Sequence, residues 1–171
     1  MSSETIPLHP VVSTLTAADL DRVMQIEMAA YPFPWTRGIF EDCLRVGYGC
    51  RGLRIGGSLV GYSVQTQAAG ESHLLNLCIE PGWQRRGFGS ILLEQSIVLA
   101  KAEGCTSMFL EVRPSNEAGI ALYLRRGFRI VGERPDYYRA DHGRENAIIM
   151  RFELQDSVNR KIRVLPSHDP F

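Results

Sequence analysis

Between residues 73 and 113 the chain passes from strand to helix and back to strand, and this passage restricts the fold more than any other. "HLLNLCIE" stops at Pro81-Gly82, and from Gly87 the residues Ile91, Leu92, Gln95, Val98 and Leu99 recur at helical spacing as far as Gly104. "SMFLEVR" then returns to strand. A strand–helix–strand connection lays its two strands parallel, so hairpins alone cannot build this sheet.

The flanking elements supply the hairpins. "VVSTLT" is a short β-branched run, and Thr16 is placed to cap a helix over 17–30, where Leu20, Val23, Met24 and Met28 share a face. The prolines of "YPFPW" end that helix, and Thr36 caps a second one carrying Ile39, Phe40, Cys43 and Leu44. "CRGLRIGGSLVGYSVQTQ" reads as a hairpin about Gly56-Gly57. Pro114 and Ser115 open a further helix closed by Gly127, and "FRIVGERPDYY" and "ENAIIMRFEL" are strands joined by a turn at Asp141–Gly143. The sum is a mixed α/β layer: a mostly antiparallel sheet with one parallel pair, flanked by helices.

With 171 residues and 44% hydrophobic content, the chain suits one core, expected over 1–154, followed by a polar, proline-punctuated tail over 155–171. Nineteen basic residues balance nineteen acidic ones, which excludes a global field favouring nucleic acid or a membrane surface. Cys43, Cys50, Cys78 and Cys105 form no C-x-x-C pair and there is no histidine cluster at zinc spacing, so free thiols and no metal are expected. The start "MSSETIPLHP" has no basic-then-apolar pattern, and no run approaches the roughly 20 apolar residues of a membrane span. A soluble, cytoplasmic protein is the expectation.

The turn into the middle helix carries the chemistry. The first four N–H groups of a helix lack internal partners, and with the helix dipole they favour an anion. Gly87 and Gly89 let an anion approach the backbone, while Arg85 and Arg86 add positive charge. A P-loop needs lysine where Phe88 stands, and a dinucleotide fingerprint needs glycine where Leu92 stands. What remains is Q/R-x-x-G-x-G/A, met as Gln84-Arg85-Arg86-Gly87-Phe88-Gly89.

In this motif, and in its element order over about residues 10–154, the chain resembles the GNAT acetyltransferase superfamily. "YPFPW", "LEVRPSNEAGIALYLRRGF" and "YYRADHGRENAIIM" narrow the resemblance to the RimI type, bacterial ribosomal-protein alanine N-acetyltransferases. The resemblance implies acetyl coenzyme A as co-substrate and a protein N-terminus, that of a small-subunit ribosomal protein, as partner. It implies that the pyrophosphate sits on Arg85, Arg86, Gly87, Phe88, Gly89 and Ser90, and that the backbone of Leu77, Cys78 and Ile79 pairs with the pantetheine arm where strand 73–80 splays from strand 107–113. By the same resemblance Glu111 is the general base, Tyr123 protonates the leaving thiolate and Asn116 contacts the cofactor.

On pattern alone, Glu111 reads equally as a solvent-facing strand residue and Tyr123 as a core aromatic. Asn116, Gly119 and Tyr123 fall on one helix face, with Gly119 expected to leave room for the cofactor. "YPFPW" and "DYYRADHGR" also read as loops, and Tyr31, Phe33, Trp35, Tyr137 and Tyr138 in these predicted loops are where an acceptor groove is expected. Two competing readings remain: a GNAT enzyme acting on a lysine side chain or small amine, and a non-catalytic acyl-CoA-sensing module. The second predicts degenerate catalytic positions, whereas Glu111 and Tyr123 are both present.

Overall fold

The computed structural model describes residues 9–154, so the expected tail at 155–171 lies outside the described residues. The chain runs β1 (Val11–Thr14), α1 (Leu20–Ala30), α2 (Arg37–Arg45), β2 (Gly49–Ile55), β3 (Ser58–Ala68), β4 (Glu71–Ile79), α3 (Phe88–Ala102), β5 (Ser107–Val112), α4 (Glu117–Arg126), β6 (Arg129–Ala140) and β7 (Gly143–Glu153). These form a seven-stranded sheet in the order β1-β2-β3-β4-β5-β7-β6. β4 and β5 are the parallel pair and the other neighbours are antiparallel.

Local signals set the element ends. Thr16 and Asp19 form a reciprocal capping box, but a 3-10 turn over Ala17–Asp19 precedes α1, so the first helix begins later than position 17. Thr36 accepts from the Ile39 N–H and caps α2. Gly127, at φ +107°, closes α4 in the left-handed conformation. Among the described residues, no helix is long and apolar enough to cross a membrane.

The sheet is covered on both faces. Tyr62 and Val64 of β3 join Leu20, Val23, Ile26 and Phe40 beneath α1 and α2. On the other face, Leu93, Ile97 and Ala100 of α3 pack with Met108, Leu110, Val112, Tyr123 and Met150. All four cysteines are buried and free.

Two irregularities open the centre of the sheet. Val64 pairs with Asn76 and Gln65 with Leu74, so Leu75 is an extra residue that bulges β4. β4 pairs with β5 only from Glu71↔Ser107 to Leu74↔Leu110, and beyond that register the strands part. The splay expected between these strands therefore begins at the bulge.

Candidate acetyl-transfer site

At the splay lies a cavity of about 660 Å³ whose wall includes Glu27, Tyr31, Phe33, Trp35, Glu111 and Tyr123. Leu77, Asn116 and Tyr138 also reach it, while Tyr137 lies in an adjoining trough of about 470 Å³ that shares Glu111. Cys78 and Ile79, the last residues of the splayed strand β4, are buried in the core clusters rather than on the cavity wall.

β5 delivers Glu111 by strand alternation. Met108, Leu110 and Val112 are buried, while Phe109 and Glu111 are only partly so. Arg134 Nε is 2.9 Å from Glu111 Oε1. The Glu111 carboxylate beside Tyr137 is the main reason that its phenol is raised above the ordinary value. In the free protein the carboxylate is thus engaged from the β6 side, a partnership with no signal in the sequence motif.

Tyr123 comes from α4. Burial, and behind it the nearby Cys78 thiol, raises its phenol well above the ordinary tyrosine value. It therefore stays protonated at neutral pH and holds a proton to give. Burial likewise pushes Cys78 up to about 12, which makes it an inert thiol.

Asn116 proves to be the N-cap of α4: its Oδ1 accepts from the Gly119 N–H at 3.0 Å. A Cβ on Gly119 would come within 2.6 Å of the Asn116 side chain. The space at Gly119 is therefore filled by the cap, which corrects the expectation that it is kept open for a cofactor.

The basic turn has the geometry of an anion site. Arg85 (φ +63°) and Gly87 (φ +84°) are left-handed, no side chain caps the N-terminus of α3, and a Cβ on Gly87 would meet nothing within 4 Å. Gln84 ties the turn back to its strand, its Nε2 donating to Ile79 O at 2.9 Å. Arg86 lies over the Trp83 ring at 5.0 Å. Phe88 packs its ring into the core beside Trp83, leaving only its backbone for an anion. Gly89 faces Leu122, which a Cβ would meet at 3.3 Å, so this glycine lets α3 and α4 approach. Ser90 is exposed in the first turn.

Among the residues expected to form an acceptor groove, the Tyr31 hydroxyl donates to Leu77 O at 2.9 Å, bridging the end of α1 to the splayed strand. Phe33 sits under Arg113 and Arg139, at 5.5 and 5.4 Å, and Arg113 also lies 4.4 Å over Tyr138. Sequence reasoning missed these arginines and the buried Glu27. A carboxylate seven residues after Leu20 and four after Val23, on the buried face of α1, was the available signal for Glu27.

A sequence profile of the Acetyltransferase (GNAT) family matches residues 20–128. The chain is 36% identical over 143 residues to the ribosomal protein bS18-alanine N-acetyltransferase of Escherichia coli, covering 84% of this chain and 97% of that protein. Its counterpart from Haemophilus influenzae is 34% identical over 141 residues, 82% and 96% of the two chains. The crystal structure of the Escherichia coli ribosomal-protein alanine N-acetyltransferase superposes with a TM-score of 0.81 at 34% identity, over 87% of this chain and 96% of that one. Ard1 from Thermoplasma volcanium, at 24% identity and a TM-score of 0.78, shares the fold. The chain belongs to the GNAT family of acetyltransferases, whose acetyl donor is acetyl coenzyme A.

Proposed function

We propose that this chain acetylates the α-amine of a protein N-terminus, that of alanine at the start of a small-subunit ribosomal protein in the cytoplasm. The observation that carries the reading is the cavity at the splay, which is lined by Glu111 and Tyr123 together with the aromatics Tyr31, Phe33 and Trp35. The amine nitrogen forms a bond to the acetyl carbonyl carbon and the thioester C–S bond breaks. Glu111 takes the proton lost by the amine, and Tyr123 gives its proton to the departing thiolate. Residues 85–90 would hold the pyrophosphate, their open left-handed backbone and uncapped helix start being suited to it.

The two relatives named for bS18-alanine acetylation favour an α-amine. Proton energetics agree: at pH 7.4 neutralising an α-amine costs under ~1 kcal/mol against ~4 for lysine. A peptide beginning with free alanine and an N-terminally blocked peptide with an internal lysine are offered at equal concentration, and acetylation is followed by mass spectrometry. The alanine peptide is expected to show the higher kcat/KM. Preference for the blocked lysine peptide would overturn the assignment.

A further inference from the structure

Glu27 is 1% exposed, and the mechanism above makes no use of it. No lysine or arginine pairs with it among the described residues. A carboxylate so buried is costly unless its lone pairs are filled. Here three elements fill them. Oε1 accepts from the Trp35 N–H at 2.9 Å, and Oε2 accepts from Asn76 Nδ2 at 3.1 Å and from the Tyr62 hydroxyl. Trp35 belongs to the segment between α1 and α2, Tyr62 to β3, and Asn76 to β4 just past the bulge where it leaves β5. Glu27 also reaches the cavity wall.

We propose that Glu27 is a positioning residue: it fastens the segment carrying Tyr31 and Trp35 to the parted half of β4 and so sets the acceptor wall against Glu111. This rests on the acceptor reading above. The node is reversible in principle, because donor and acceptor can be exchanged between positions 27 and 76. Glu27→Gln leaves one acceptor oxygen for the three donors, and Asn76→Asp sets a carboxylate against Glu27. The double variant restores one donor and one acceptor.

Each single variant is expected to raise the acceptor KM roughly tenfold or more, with kcat and coenzyme A affinity within about twofold of the parent. Hydrogen exchange at the Trp35 amide accelerates in both singles and slows again in the double. A purely structural role would shift melting without splitting acceptor KM from coenzyme A affinity. Singles with parental KM and Trp35 exchange, or a double no better than the worse single, would overturn the proposal. Should Glu27→Gln fail to fold, Asn76→Ala carries the same two readouts with the same expected direction. If the parent protein does not acetylate α-amines, the acceptor reading fails, while Trp35 exchange in the free protein still decides whether Glu27 holds the segment.

Discussion

Alanine at Gly87 separates backbone strain from exclusion of a ligand, because the fold supplies its own control. Gly87 and Gly104 stand at the two ends of α3 with φ of +84° and +76°, and a Cβ on either meets nothing within 4 Å. Holding an L-residue in the left-handed region costs about 1–2 kcal/mol. With no clash to add, Gly87→Ala and Gly104→Ala each lose that much stability, or about 2–8 °C in Tm for a domain of this size. Their effects on coenzyme A diverge. The helix between them spans roughly 22 Å. Only at Gly87 does the new methyl stand beside the uncapped N–H groups of α3, where a pyrophosphate would approach. Gly87→Ala is expected to weaken coenzyme A binding about tenfold, ~1.4 kcal/mol, comparable to losing one charge-assisted hydrogen bond. Gly104→Ala leaves it unchanged, and Gly87→Val weakens it further. Denaturant melts give the stability term and calorimetry the affinity. Equal coenzyme A affinity in the two folded alanine variants would refute the anion-site argument.

Glu111→Gln and Tyr123→Phe keep shape and remove proton transfer, so each lowers turnover by on the order of 10² to 10⁴ with coenzyme A affinity little changed; near-normal turnover excludes that residue from the mechanism. Asp19 gives an acid signature. Burial works to raise its carboxyl, but hydrogen bonds from Arg54 and Thr16 outweigh it and hold it below its ordinary 3.8. A depressed carboxyl contributes stability above its unfolded value and loses it as pH falls through the lower folded value. Urea midpoints therefore fall below about pH 4, and Arg54→Met removes part of that fall while costing about 1–3 kcal/mol at pH 7; an unaltered acid limb in that variant would discount the pair.

The elements were legible where their ends are marked locally. Thr36 caps α2 through its own side chain and Gly127 ends α4 by its own φ, so neither depends on distant packing. The parallel crossover was legible for a similar reason, since a strand, helix and strand in sequence leave little choice. The bulge at Leu75 was not, because an extra residue is defined by the register of β3 against β4, and no residue type at that point announces it. Asn116 and Gly119 show how a shared helix face can be read from spacing while the local contact between its members is not. The common face of Asn116, Gly119 and Tyr123 was legible from their spacing, whereas the cap of Asn116 on Gly119 follows from the helix starting at Glu117, later than the opening expected at Pro114 and Ser115.

The acceptor wall was half legible, and the missing half is electrostatic. Aromatics in predicted loops hinted at a groove, but Tyr137 and Tyr138 prove to lie within strand β6 rather than in a loop, and what joins Phe33 to Tyr138 is Arg113. Arg113, two residues beyond Glu111 and just past the end of β5, donates to Arg139 O at 2.6 Å and pairs with Glu145 at 3.2 Å, while its guanidinium lies over both Phe33 and Tyr138. The segment after α1 and the β6–β7 hairpin are thereby tied to one another through the end of β5. Glu111 and Tyr123 stand instead on a strand and a helix held by the core beneath α3. The two supports meet at Arg113 and again where Arg134 of β6 pairs with Glu111. On the proposed reading, changes confined to the segment between α1 and α2 are expected to alter which chain end fits with Glu111 and Tyr123 left in place, whereas changes at Arg134 in the hairpin are expected to disturb Glu111 as well.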